Sequence, residues 1–243
     1  MIHSKYSKPI TILYTQVDKT GFLGLEKALD IVQDNTTEFF ESIGSDNLRL
    51  RKSDNAAWII TKQIIRFESF PFWHHNATVI SSVSEKNFLT LNVDTNLFDN
   101  SGNLYFCAKQ EFCAIDFERR KPLRIDQITF PEHIEMFDSL IAERFMKFKI
   151  DFSDEDFVET VTVNYCDIDY SQHTNNSKYV CWIINTLNDE FFEIYKIKEF
   201  EIQYFNESLR GHVLKIFKKN VDNKFYFLIT NNDIPTVKAV LTY

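Results

Sequence analysis

The chain carries one pattern twice, and that repeat limits its folds more than any other feature. Val17-Asp18-Lys19-Thr20-Gly21-Phe22 runs on to Glu38-Phe39-Phe40-Glu41. Ile168-Asp169-Tyr170-Ser171-Gln172-His173 runs on to Glu190-Phe191-Phe192-Glu193, with the spacing one residue longer. In each copy an Asp-containing turn precedes an amphipathic segment of helical period. Strand patterns follow in parallel. Residues 58–67 match 200–205, and 78–83 match 212–217. The first copy continues with 88–93 and 104–107 about the turn Asp99-Asn100-Ser101-Gly102-Asn103, and ends on 111–117. The second continues from Val221-Asp222-Asn223-Lys224 into 225–229 and ends on 236–243.

Each copy therefore reads as a short strand, a long helix and several antiparallel strands. A curved antiparallel sheet wrapped around one helix buries the apolar faces of both, which is the hotdog arrangement. The expected class is α+β: a tandem hotdog, two long helices each wrapped by a sheet, paired as a pseudo-dimer about an approximate two-fold axis. The expected division is an N-terminal hotdog over 1–130, a linker helix within 131–153 with Pro131 in its first turn, and a C-terminal hotdog over 154–243.

Chemistry gathers in the second copy. Asp167-Ile168-Asp169-Tyr170-Ser171-Gln172-His173-Thr174-Asn175-Asn176 is dense in carboxylate, hydroxyl, amide and imidazole, and it stops at the apolar segment from Tyr179 to Ile184. Asn175 or Asn176 can cap a buried helix there. Such a loop is, by itself, more often an ordinary solvated turn than a site. The first copy has Gly21 and Leu23 where Ser171 and His173 stand, so an active site belongs in the C-terminal half. The N-terminal half is then free to shape a ligand pocket. Glu201 and Glu207 are equally eligible as a strand-borne carboxylate partner for His173.

A net charge of −8 disfavours nucleic acid as a partner, since that binding rests on phosphate neutralisation. Local basic clusters remain: Arg49-Leu50-Arg51-Lys52, Arg119-Arg120-Lys121 with Arg124, and Lys215 with Lys218-Lys219. They read as solvated surface or as a docking patch for an acidic protein. No apolar run approaches the length of a membrane span. Met1-Ile2-His3-Ser4-Lys5 lacks the apolar core of a signal peptide, so a cytoplasmic protein is expected. Cys107, Cys113, Cys166 and Cys181 form no C-x-x-C pair and read as reduced, packed thiols. The 24 Phe residues fit either an aromatic core or a cavity for a chain-like ligand. Trp58, Trp73 and Trp182 read as core or pocket wall, and His74-His75 as surface.

The second copy resembles the plant-type acyl-acyl-carrier-protein thioesterases and their bacterial relatives. That family carries D-x-D-x-N-Q-H-x-N-N-x-x-Y, then an apolar residue, Gly and Trp. Here Asp167, Asp169, Ser171, Gln172, His173, Asn175, Asn176, Tyr179, Cys181 and Trp182 stand at those places. The family's Tyr-Arg-Arg-Glu-Cys is Tyr204-Phe205-Asn206-Glu207-Ser208 here. The segments Ala57-Trp58-Ile59-Ile60-Thr61, Phe70-Pro71-Phe72-Trp73 and Asp116-Phe117-Glu118-Arg119-Arg120-Lys121-Pro122 extend the likeness through the first copy.

The resemblance implies a double hotdog that hydrolyses acyl-acyl carrier protein to free fatty acid and carrier protein. Acyl carrier protein is then the partner, a homodimer is possible, stable membrane insertion is not expected, and neither cofactor nor metal is needed. Asp169, His173 and Glu207 match family catalytic positions. Ser171 replaces the catalytic Asn, a loss worth about a hundredfold in rate if that donor steadies the thioester oxygen. Ser208 replaces a Cys. Glu207 is the expected general base, with His173 orienting water. Asp169 holds the loop in register or attacks directly. An acyl-CoA thioesterase or a non-catalytic acyl-binding protein are the alternatives on the same scaffold.

Overall fold

The computed structural model describes residues 4–194 and 196–243, in two compact units, Met1–Arg144 and Phe145–Tyr243. Met1, Ile2 and His3, part of the stretch read above for a signal peptide, lie outside the described residues.

The first unit runs β1 (Lys5–Thr11), α1 (Leu25–Ser42), α2 (Asn47–Ser53), β2 (Ala56–Phe67), β3 (Asn76–Lys86), β4 (Thr90–Asp99), β5 (Leu104–Asp116) and β6 (Pro122–Leu123). Its strands lie in the order β1-β3-β4-β5-β2, all antiparallel, with β6 beside β5. The second unit runs β7 (Phe157–Thr162), α3 (Asn176–Asn185), α4 (Asp189–Ile194), β8 (Glu199–Tyr204), β9 (Val213–Val221), β10 (Lys224–Asn231) and β11 (Ile234–Thr242). Its order is β7-β9-β10-β11-β8, again antiparallel. Apart from β6, the two sheets have the same strand order, which is the repeat read from the sequence.

Three expectations need correction. Residues 111–117 are not a separate strand: β5 runs unbroken through Lys109 and Gln110, both buried. The second helix is interrupted. After α3 the hydroxyl of Thr186 donates to the carbonyl of Ile183, and Asn188 Oδ1 accepts the amide of Phe191, capping α4. The extra residue of the second copy falls within this stretch. Finally, 131–153 contains no linker helix. Tertiary hydrogen bonds take the backbone groups a helix would need. Phe137 N donates to Val83 O, and Lys109 Nζ donates to the carbonyls of Ile141 and Glu143 at 2.7 and 2.6 Å.

α1 buries Leu25, Ala28, Leu29, Ile31, Val32, Phe39 and Phe40, a stripe at helical spacing. Full burial of a side chain such as Phe39 contributes about 1.5–3 kcal/mol. The middle of that face is polar instead. Asn35 Nδ2 donates to Ser81 Oγ, Ser81 Oγ meets Thr95 Oγ1, and Thr36 Oγ1 reaches both Thr95 Oγ1 and Gln110 Oε1. Gln110 Nε2 then donates to Gln63 Oε1. This buried chain of hydrogen bonds ties the helix to four strands, and a purely aromatic core is not what fills the unit. Trp58 and Trp182 are buried, whereas Trp73 is 39% exposed. Cys107 is buried, with its thiol pushed up to about 11 by that burial; Cys166 is exposed rather than packed.

Candidate active site

The polar loop of the second unit is built by its own backbone. Asp169 N donates to His173 O, Gln172 N to Asp169 O, and Ile168 and Thr174 form a bridge. The Asp169 carboxylate turns back on the loop: Oδ1 accepts the amide of Ser171 at 2.7 Å and, weakly, that of His173 at 3.5 Å. This is an Asx turn. Gln172 takes the left-handed conformation that closes it (φ 67°). Asn175 caps α3, its Oδ1 accepting from Ser177 N at 3.0 Å.

A second loop, between β8 and β9, supplies Glu207. Thr174 staples the two loops together, its amide and its hydroxyl both donating to Ser208 O. The staple brings His173 Nε2 to 3.0 Å from Glu207 Oε2. The imidazole is mostly covered at 23% exposure, while the carboxylate is 44% exposed and open to water. Tyr179 is buried beside Ser208 and Thr174, and its burial pushes the phenol's pKa up, so it stays protonated. Ser208 is buried.

The structure thus joins His173 to Glu207, 34 residues apart, and puts Asp169 and Ser171 in the same turn. It separates Glu201 from them chemically. Glu201 is buried on β8, where its Oε1 accepts from Met146 N and Gln203 Nε2. The local chemistry is acid–base and hydrogen-bonding. Among the described residues no group of three or more His, Cys, Asp or Glu could hold a metal ion, and no helix is long and apolar enough to cross a membrane.

The first unit repeats the backbone bonds of this frame and the Asp-centred turn. Asp18 N donates to Phe22 O, Gly21 N to Asp18 O, and Asp18 Oδ1 accepts from Thr20 N at 2.7 Å. Leu23 N donates to Pro71 O as Thr174 N does to Ser208 O. The equivalents of Ser171 and His173 are therefore Thr20 and Phe22, one residue earlier than the Gly21 and Leu23 expected from spacing. The equivalent of Glu207 is Phe70. Gly21, not a match for Ser171, is the left-handed residue of the turn (φ 81°). An added Cβ there would meet Phe72 at 2.6 Å.

Known proteins share both sequence and fold. The Acyl-ACP thioesterase N-terminal domain family model matches residues 3–131, and the C-terminal domain model matches residues 150–240. The chain is 25% identical over 209 residues to acyl-[acyl-carrier-protein] hydrolase FATB3, chloroplastic, of Cuphea viscosissima, covering 82% of this chain and 50% of that protein. It is 37% identical over 68 residues to dodecanoyl-[acyl-carrier-protein] hydrolase, chloroplastic, of Umbellularia californica, covering 28% of this chain and 18% of that one. The chain spans about half the length, or less, of the curated relatives it matches. Its fold matches the crystal structure of an acyl-ACP thioesterase from Bacteroides thetaiotaomicron with a TM-score of 0.89 at 21% identity, over 98% of this chain and 97% of that one. The 12:0-ACP thioesterase from Umbellularia californica superposes with a TM-score of 0.84 at 17% identity, over 100% and 98% of the two chains. The fold is a double hotdog, and the chain belongs to the acyl-ACP thioesterase family.

Proposed function

We propose that this protein hydrolyses acyl thioesters of acyl carrier protein, releasing free fatty acid and the carrier protein's thiol. The observation that carries the reading is the 3.0 Å contact between His173 Nε2 and the water-accessible carboxylate of Glu207. A thioester is already activated, so hydrolysis needs a nucleophile, a donor for the oxyanion and a proton for the departing thiolate. Glu207 takes a proton from water as general base. The resulting hydroxide adds to the carbonyl carbon, the C–S bond breaks, and the proton held by Glu207 returns to the thiolate. His173 holds the Glu207 carboxylate through Nε2 and orients the attacking water beside it. Asp169 is a positioning residue, its carboxylate engaged by the turn that aims His173. At the start of α3, the amide of Thr174 is held by Ser208 O, that of Asn175 by Asp167 O and that of Ser177 by Asn175 Oδ1. Asn176, the first residue of the helix, has no carbonyl one turn earlier to bond, and we assign its amide to the oxyanion.

Acyl carrier protein is the proposed partner. The N-terminal unit, with Phe22 and Phe70 where the other has acid–base residues, is proposed to recognise the acyl chain. Free thiols at all four cysteines fit a reducing compartment, and we place the reaction in the cytoplasm. The test is thiol release from matched acyl-acyl-carrier-protein and acyl-CoA panels. Turnover favouring the carrier protein is expected, with Glu207→Gln lowering kcat by about 10²–10⁴-fold. Full activity in Glu207→Gln removes the proposed base. Tight acyl binding without turnover by the unaltered protein leaves only a binding role.

A further inference from the structure

We propose that Arg210 binds the phosphate of the 4′-phosphopantetheine arm on which the acyl thioester is presented. The inference rests on the thioesterase reading above and adds a residue that reading does not use.

The two units serve as each other's controls. In the second, the loop after Glu207 is closed by Gly211 N donating to Val163 O, Val163 N to His212 O, and Leu209 N to His212 Nδ1 at 3.2 Å. In the first, His74 N donates to Ile12 O, Ile12 N to His75 O, and Phe72 N to His75 Nδ1 at 3.3 Å. Both turns use a left-handed residue at the same place, Gly211 at φ 88° and His74 at φ 65°. Position 210 is thereby equivalent to 73, and Tyr165 to Tyr14. With the frame held constant, three loop positions pass from aromatic to ionisable in the catalytic copy: Phe22 to His173, Phe70 to Glu207, and Trp73 to Arg210. The first two form the catalytic pair. The third stands three residues from Glu207 on the same pinned loop.

The tyrosine is kept while its partner changes. Trp73 meets Tyr14 edge to face at 5.5 Å; the Arg210 guanidinium lies over the Tyr165 ring, also at 5.5 Å. A cation on an aromatic face is held in place while the N–H groups at the rim of its plane stay available. Arg210 is exposed and forms no ion pair among the described residues. The nearest carboxylate in sequence, Glu207, faces His173 instead. A restrained, unpaired guanidinium beside an acid–base pair suits an oxyanion such as phosphate, which it can grip through two parallel N–H bonds. The substrate supplies that anion at a fixed remove from the reacting carbon. The pantetheine arm separates phosphate from thioester by two amide-linked segments, so its binding group must sit outside the catalytic pair. Three residues of main chain reach at most about 10 Å, and the arginine side chain adds to that.

The experiment compares one acyl group on 4′-phosphopantetheine and on pantetheine, which lacks the phosphate. The quantity read is the preference for the phosphorylated thioester in kcat/KM. Arg210→Met is expected to cut that preference about tenfold, chiefly through KM, with Arg210→Lys keeping part of it. Arg49→Met, in α2 of the other unit, is expected to keep the full preference. Because each preference is a ratio within one variant, partial loss of folded protein cancels. Acyl-acyl carrier protein and acyl-CoA share the arm, and both are expected to show the same rise in KM in Arg210→Met. An unchanged preference overturns the assignment while leaving the thioesterase reading standing. So does a KM rise confined to one of the two natural substrates, which places Arg210 on the carrier protein surface or on the nucleotide. If the unaltered protein cleaves none of these thioesters, both readings fall together.

Discussion

Asp169 offers the sharpest test of the proposed chemistry, because Asp18 holds the same turn in the first unit with Phe22 and Phe70 in place of His173 and Glu207. Asp169 Oδ1 accepts Ser171 N at 2.7 Å, and Asp18 Oδ1 accepts Thr20 N at 2.7 Å in the same turn. If the carboxylate shapes the loop and nothing more, an amide should nearly suffice. Asn keeps the accepting oxygen and gives up only its charge, the difference between a bond to an ionised acceptor and one to a neutral acceptor, about 1 kcal/mol. Asp18→Asn and Asp169→Asn should therefore destabilise their units by similar amounts, about 1 kcal/mol each, read from urea midpoints. If the same energy is lost in positioning His173, thiol release by Asp169→Asn falls about fivefold. A nucleophilic Asp169, attacking the thioester to form an anhydride, has no such tolerance, and its loss costs about 10⁴-fold or more. The two mechanisms differ by three orders of magnitude in one assay. A folded Asp169→Asn protein more than a thousandfold slower, beside an Asp18→Asn protein of ordinary activity, refutes the positioning role and the water route with it.

Other consequences are as direct. Ser171→Asn restores the longer side chain of the family pattern. If that donor reaches the thioester oxygen, kcat on acyl-acyl carrier protein should rise by up to about a hundredfold, and an unchanged kcat excludes it from the oxyanion. Lys109→Met strips the bonds to the Ile141 and Glu143 carbonyls and should cost about 2–4 kcal/mol in urea unfolding, with faster amide exchange across 137–144. Burial holds the Asp94 carboxyl above the usual carboxylate range despite hydrogen bonds from Ser139 and Ser84. Its folded pKa is thus raised, so its cost to stability is full at neutral pH and eases as pH falls through that raised value toward the ordinary one. The urea midpoint of the parent relative to Asp94→Asn should accordingly climb as pH is lowered from neutrality toward the ordinary carboxylate range, and a fall in that difference contradicts the sign.

How far the sequence could be read depended on whether a residue's partner was local. Strands β2, β3, β8 and β9 were legible because their apolar runs are short-range patterns. The α3 cap was legible because Asn175 bonds two residues ahead. The unbroken β5 was not, since Lys109 and Gln110 resemble a turn until their partners are known, and those lie on the linker and on β2 and α1. The absent linker helix fails for the same reason. Its carbonyls are claimed by a lysine more than thirty positions away. The interruption between α3 and α4 was within reach, because Thr186 and Asn188 bond locally. In the site, His173 and the turn around it were local; Glu207 was singled out over Glu201 by the family resemblance alone, and its reach to His173 depends on the Thr174 staple, which no spacing encodes.

The shared frame explains how the two units carry different side chains at the same loop positions. The bonds that shape both sites are almost all backbone to backbone, apart from the Asp carboxylate and the His75 or His212 ring. Side chains at 22, 70 and 73 are therefore free to differ from those at 173, 207 and 210 without disturbing the loops. The aromatic set in the first unit adds its own packing, with Phe22 edge-on to Phe72 at 5.2 Å and Phe70 stacked on Phe67 at 4.4 Å. The second unit gives up that packing and leaves Glu207 half open to solvent. The loss is acceptable because the loop geometry, held by backbone hydrogen bonds, does not rest on those rings.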